Sequence, residues 1–421
     1  PTPVSELRSR FCHATDLEVL EHCMGINRIR MGSHQNPAVK DARDIADQLA
    51  PHTILLCVDT EHYTLNSDEM TEVGIAVMKR QHAAPISEAD NYGDHGENLM
   101  KQANFCFYRF REKAHLPTTN AASLGPAGNR FGEARFVTFA DARNHLRQIF
   151  VQPITNVRGL QRYNHPIVIM GHAVGHDREH LNGKDLGFHP DAVGTVVRYI
   201  DTQQVVRDTK RWKHPDNDIG LPKLVAALGF EHTDAHSAAN DIGRTLMCAV
   251  LLAIPLNARR GCKRTADQVS NDFEHWSRNT FVGIGGTREY CCKCGSDHHM
   301  DSKCSATGMR CNNCINRGFD QQATTHISMH CPWVCDEVAA ERLAWFADQP
   351  SHDEEKYKLT KARFSSRLQR FSHNAPRIPP EAPDEIAARR VWYDNERNVQ
   401  RRSRIEYKIK PFVWWKRSYQ S

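Results

Sequence analysis

The chain has 421 residues, 40% hydrophobic and 25% charged, with a formal net charge of +5. That length invites two or three folded units rather than one core, and no apolar run approaches the roughly 20 residues that cross a bilayer, which argues against a membrane-spanning class. The charge is uneven: from Glu341 to Ser421 there are 18 Lys/Arg against 11 Asp/Glu, a balance of +7 that leaves −2 for everything before it and suggests an acidic polymer as partner of the C-terminal fifth.

Residues 1–50 read as helical. Thr15-x-x-Glu18 is a capping box ahead of LEVLEHC, and Asn36-Pro37 opens a helix that runs toward Pro51. From Thr53 the pattern changes to strands, ILLCVDT and then TEVGIAVM, as expected for a hairpin. Residues 79–132, rich in His, Gly, Asn and Pro around FCFYRF, read as a long, partly irregular insertion. FADARNHLRQIF predicts a helix and PIVIMGH a buried parallel strand; RYIDTQQVVRDT is a further strand candidate and GLPKLVAALGF a short helix closed by Gly229. In HSAANDIGRTLMCAVLLAI the residues Ala238, Ile242, Leu246 and Val250 fall on one face of an amphipathic helix. Strands alternating with helices make residues 51–258 an α/β domain. A linker with a possible helix covers 259–286, a Cys/His-rich module 287–336, and a basic helical tail 337–421.

The chemistry starts at Asp59-Thr-Glu61. Two carboxylates two apart on a strand share a face and can share a cation, although a solvated strand end looks the same. Further carboxylates stand at Asp177, after the strand ending in Met170-Gly171, and at Asp241, five residues beyond His236 on the amphipathic helix. Four converging carboxylates repel one another unless cations neutralise them, and hard oxygen ligands suit Mg²⁺ or Mn²⁺.

The ordered set Asp59-Thr-Glu61, Gly171-His172-Ala173-x-x-x-Asp177 and His236-x-Ala238-x-x-Asp241-x-x-x-Thr245 resembles the DEDDh group of 3′-to-5′ exonucleases, across about half the chain. The resemblance implies a ribonuclease H-like mixed sheet flanked by helices. It also implies two Mg²⁺ or Mn²⁺ ions on Asp59, Glu61, Asp177 and Asp241, with His236 as the general base that activates water. Many members carry an aromatic residue where His176 stands, and Asn in place of Ala173. His62 and His172 read as hydrogen-bonded structural histidines.

Eight of fourteen cysteines lie between Cys291 and Cys335. With no secretion signal in view, this reads as metal ligation in a reducing compartment, the cytoplasm or nucleus. Cys291-x2-Cys294-x4-His299-x4-Cys304 has zinc-knuckle spacing with a turn at Gly295. Cys311-x2-Cys314 with His326-x4-Cys331 forms a second set, for which His330 and Cys335 compete; Cys292 and His298 are spare ligands near the first. The expectation is one or two Zn²⁺ ions, and single-stranded RNA, ahead of DNA, as partner.

In the tail, Arg390, Arg397, Arg401 and Arg404 fall within about 60° on one helix, and KIKPFVWWKRSYQ mixes charge with aromatics suited to phosphates and stacked bases. The layout is also similar to fungal DEDDh proteins of the quelling pathway that interact with Argonaute and remove the passenger strand of small-RNA duplexes, which implies an Argonaute partner. The competing class is a nucleic-acid or Argonaute adaptor that keeps the nuclease fold with little activity.

Overall fold

The protein is described by a computed structural model at residues 2–63, 66–116, 128–209, 218–231, 236–259, 261–279, 285–316, 318 and 320–331. All belong to one compact unit, Pro1–Cys335. The tail arginines Arg390, Arg397, Arg401 and Arg404, and Cys335, lie outside the described residues.

Three helices open the chain: α1 (Pro3–Cys12), α2 (Asp16–Cys23) and α3 (Pro37–Leu49). Thr15 and Glu18 form the capping box of α2, and the Asn36 side chain caps α3. The sheet starts with β1 (Ile54–Tyr63) and β2 (Asn66–Lys79). After α4 (Arg80–Glu88) and α5 (Glu97–Met100) come β3 (Ala103–Phe110), β4 (Ala134–Val137) and α6 (Phe139–Phe150). Then follow β5 (Ile167–Gly171), α7 (Val174–Leu181), β6 (Val196–Asp201), α8 (Thr202–Asp208), α9 (Leu221–Ala227), α10 (Ala238–Ala253) and α11 (Ala266–Asn279), with a short α12 (Asn312–Ile315) in the cysteine-rich region.

The six strands are ordered β4-β3-β2-β1-β5-β6. β1 pairs antiparallel with β2 and parallel with β5, so the sheet is mixed. Both faces are covered, which is why β1 reads as a continuous apolar run. Leu55 and Cys57 face one core, shared with α10; Ile54, Leu56 and Val58 face the other, shared with α6. This is the α/β, ribonuclease H-like architecture expected of the chain.

One segment differs from its local pattern, and two others gain definition. RYIDTQQVVRDT is a strand only to Asp201, whose side chain accepts from the Gln203 N–H and starts α8, turning Val205 and Val206 into the core. The stretch 79–132 contains the regular helix α4, and its FCFYRF strand is β3, hydrogen-bonded along β2. The possible helix of the expected linker is α11, whose buried Phe273 shares a core with Leu7, Phe11 and Leu20 of the opening helices and Val250 of α10. Within α10, Arg244 is 2% exposed and pairs with Glu274 and Ser270 of α11. The same Glu274 also binds Arg130.

Candidate active site

Alternation along β1 puts Asp59 and Glu61 on the face of Leu55 and Cys57, where α10 lies; the Cys57 thiol sits 3.8 Å from the Ile242 carbonyl oxygen. Gly74, the partner of Asp59 on β2, makes that approach possible, because a Cβ there would run into the Ala238 carbonyl at the start of α10. Helical spacing then brings Asp241 to the strand. Glu61, His236 and Asp241 each offer a ligand atom, and the three atoms lie within 4.8 Å of one another. His236 is exposed and adopts a left-handed conformation, φ 65°, a setting non-glycine residues enter only when neighbours hold them there.

Asp177 arrives from the other side. Ala173, also left-handed at φ 65°, turns the chain out of β5 into α7, a conformation that the Asn frequent at this place in the family tolerates more easily than Ala. The Thr60 N–H and hydroxyl then both donate to Asp177 Oδ1 at 2.9 Å. Thr60 Oγ1 also lies 3.0 Å from His180 Nδ1, and His180 packs on His62 with ring centroids 3.6 Å apart. The middle residue of Asp-Thr-Glu therefore fixes the third carboxylate. His172 rests against Thr202 Oγ1 at 2.8 Å.

The electrostatics are those of a cation site. Burial, then the charges of Asp177, Asp241 and Glu61, push Asp59 well above the usual carboxylate range. Asp177 is pushed up to about 7, burial outweighing the two Thr60 hydrogen bonds. Asp59 Oδ2 is buried with no hydrogen-bond partner among the described residues, a costly arrangement for an acceptor unless an ion completes it. Carboxylate oxygens beside an imidazole, with the orphaned oxygen of Asp59 among them, fit divalent cations such as Mg²⁺ or Mn²⁺.

Sequence reasoning missed the support beneath these residues. Glu72, opposite Glu61 in register, is 0% exposed and bound to Arg109 Nη1 at 2.6 Å. Its other oxygen accepts from the Ala238 N–H at 3.4 Å, at the start of α10, and Arg109 Nη2 donates to the Leu116 carbonyl. Two turns of signal were present: opposite charges inside strands otherwise apolar, and a glycine in mid-strand.

The Cys/His region forms two clusters. Cys291, Cys294, His299 and Cys304 offer ligand atoms within 4.8 Å of one another, as do Cys311, Cys314, His326 and Cys331. Both are closed four-donor sets of sulfur and nitrogen, which fit Zn²⁺. Gly295, φ 76°, supplies the left-handed turn of the first and packs against Ile327, whose N–H donates to the Lys293 carbonyl, so the two sets are tied together. Of the competing ligands, Cys292 binds Asp301 instead, His298 sits at the surface beside Asp297, and His330 lies 2.9 Å from the Arg111 carbonyl oxygen with its ring edge-on to Tyr290. Arg111 covers the Tyr290 ring, and Phe136 bonds Thr287 through both backbone groups, so the clusters are docked on the β3–β4 edge of the sheet.

Among protein families, the one described as DEDDh_C, "DNA polymerase III subunit epsilon-like, C-terminal domain", matches residues 54–252. A search of curated proteins gave no match. The matched span runs from β1 through nearly all of α10 and includes all five residues of the site, so it supports a DEDDh exonuclease-family domain and, with it, nuclease activity on a nucleic-acid substrate. Among the described residues no helix is long and apolar enough to cross a membrane.

Proposed function

We propose that this chain is a divalent-metal-dependent 3′-to-5′ exonuclease that removes terminal nucleotides from single-stranded nucleic acid, RNA in preference to DNA. The observation that carries the reading is the meeting of Glu61, His236 and Asp241 beside the buried, unpartnered oxygen of Asp59. Asp59, Glu61, Asp177 and Asp241 would hold the cations. When bound, these neutralise the carboxylates and stabilise charge on the attacking and leaving oxygens of the phosphodiester. His236 takes the proton from the attacking water: it is the exposed member of the group, able to reach both solvent and the carboxylates. Thr60 holds Asp177 in place, and Glu72 holds the start of α10.

The preference for RNA rests on the zinc-knuckle spacing of the first Cys/His set, and zinc in both sets would fold the module. An Argonaute partner rests on the similarity of layout to the quelling enzymes alone, and co-purification with Argonaute would test it. An adaptor that merely keeps the fold has no use for four crowded carboxylates, whose repulsion costs stability without a cation.

The direct test is degradation of 5′-labelled single-stranded RNA and DNA with Mg²⁺ by the wild type, Asp59→Ala and His236→Ala. A ladder shortening from the 3′ end, lost in both variants, is expected. No ladder on any substrate would refute the enzyme reading and favour the adaptor.

A further inference from the structure

Away from the carboxylates, α1, the loop after α2 and α3 line a half-open cavity of about 360 Å³ that includes Glu6, Ser9, Arg10, His13, Arg30 and Arg43. At about 30 Å³ per water, it has room for a phosphate group with its hydration. Its charge is unbalanced. Arg43 Nε donates to Glu6 at 2.8 Å, and its Nη1 reaches the Gly32 and Ser33 carbonyls, so this pair is neutral and fixed. Arg10 and Arg30 have no acidic partner among the described residues. Arg10 is steadied by one bond, Nε to the Arg30 carbonyl at 3.1 Å, which ties the end of α1 to the loop and leaves its two terminal nitrogens uncommitted. Among the described residues the Arg30 guanidinium has no hydrogen-bond partner, and both residues are exposed. His13 is held by its Nδ1, 2.7 Å from the Ser9 carbonyl oxygen.

Two uncommitted guanidiniums linked through one backbone bond, with a third anchored beside them, have the planar donor sets that grip phosphate oxygens in pairs. We propose that this cavity is a phosphate-binding site for the backbone of a single-stranded polynucleotide, holding nucleotides other than the one being cleaved. The choice of polynucleotide rests on the nuclease reading above; the anion site itself does not. The two arginines lie in sequence before the matched family span, so this contact would be an addition made by the opening helices rather than by the catalytic sheet.

The test uses the full chain carrying Asp59→Ala, so that cleavage does not interfere. Anisotropy of fluorescent single-stranded RNA and DNA of about 20 nucleotides is measured from about 50 to about 200 mM salt. Each phosphate contact on a single strand contributes about 0.7 to the slope of log affinity against log salt. Arg10→Ala/Arg30→Ala should therefore lower that slope by about 1.4 and weaken binding several-fold at low salt. Arg10→Lys/Arg30→Lys, which keeps the charge, should retain the slope and lose part of the affinity. Arg147→Ala/Arg158→Ala removes two exposed arginines elsewhere and should do neither. An unchanged slope in the cavity variant, or an equal loss in the control, overturns the proposal. A wild-type chain that degrades neither substrate with Mg²⁺, while the Asp59→Ala chain shows the cavity-dependent slope, would sink the exonuclease reading and leave the site standing.

Discussion

Replacing Arg109 with Met tests whether the buried Glu72–Arg109 pair underlies the start of α10. Glu72 is 0% and Arg109 6% exposed, they are 2.6 Å apart, and Glu72 also accepts from Ala238. Removing one member of a buried pair leaves an uncompensated charge and costs about 3–5 kcal/mol, whereas replacing both with groups of similar shape costs much less. With a urea slope of about 3 kcal/mol/M, that loss moves the unfolding midpoint down by about 1 to 1.7 M. Burial already raises Glu72, with Arg109 the chief opposing influence, so the variant's folded Glu72 titrates higher still. A carboxyl raised in the folded state binds more protons there than in the unfolded chain. The defect should therefore be small below the unfolded value of about 4.3, grow as pH rises, and level off above the folded value. Glu72→Gln/Arg109→Met should recover at least about 1–2 kcal/mol. Urea melts of the three chains at about pH 5 and pH 8 decide the matter: a loss under about 1 kcal/mol, or one that shrinks as pH rises, would refute the reasoning.

Four other outcomes follow from the site. Gly74→Val should drive the start of α10 off the sheet, costing about 1–3 kcal/mol and about 100-fold or more in turnover; melting with single-turnover assays checks this, and undiminished turnover contradicts it. Thr60→Val removes the hydroxyl donor to Asp177 but keeps the backbone one, so Mn²⁺ affinity should fall about 10-fold by calorimetry while saturating metal restores most activity. Asp177, raised to about 7 from an unfolded value near 3.9, makes the metal-free chain lose stability as pH rises between those values. Mg²⁺ should accordingly raise the melting temperature more at about pH 8 than at about pH 5.5, and an equal gain would count against the carboxylate site. For the Cys/His sets, metal analysis should find about two zinc ions per chain and about one in Cys311→Ser, with less than about one in the wild type refuting both.

What could be read in the sequence was whatever local period encodes. The face of β1, the phase of α10 and the capping box at Thr15 all follow from neighbours within a few residues. The order of the motifs pointed to the family because it needed no geometry. What could not be read was set by distant partners. Thr60 meets Asp177 across 117 residues and Glu72 meets Ala238 across 166, and no pattern inside either strand announces such a bond. One local misreading, and one helix whose packing could not be foreseen, have the same root. Val205 and Val206 look like strand residues until Asp201 caps a helix before them, and the helix foreseen within 259–286 gives no local sign that Arg244 pairs with its Glu274.

The single core shared by the first and last parts of this unit has a consequence during synthesis. Phe11 and Leu20 belong to one buried core with Val250 and Phe273, which complete it some 250 positions later. At about 5–20 residues per second, the ribosome needs on the order of 13–50 s to supply them. For that interval the core is incomplete, although α1 can already pack on α3 and β6, so the nascent chain should depend on chaperones and a chain truncated before α11 should aggregate rather than stop at a stable intermediate.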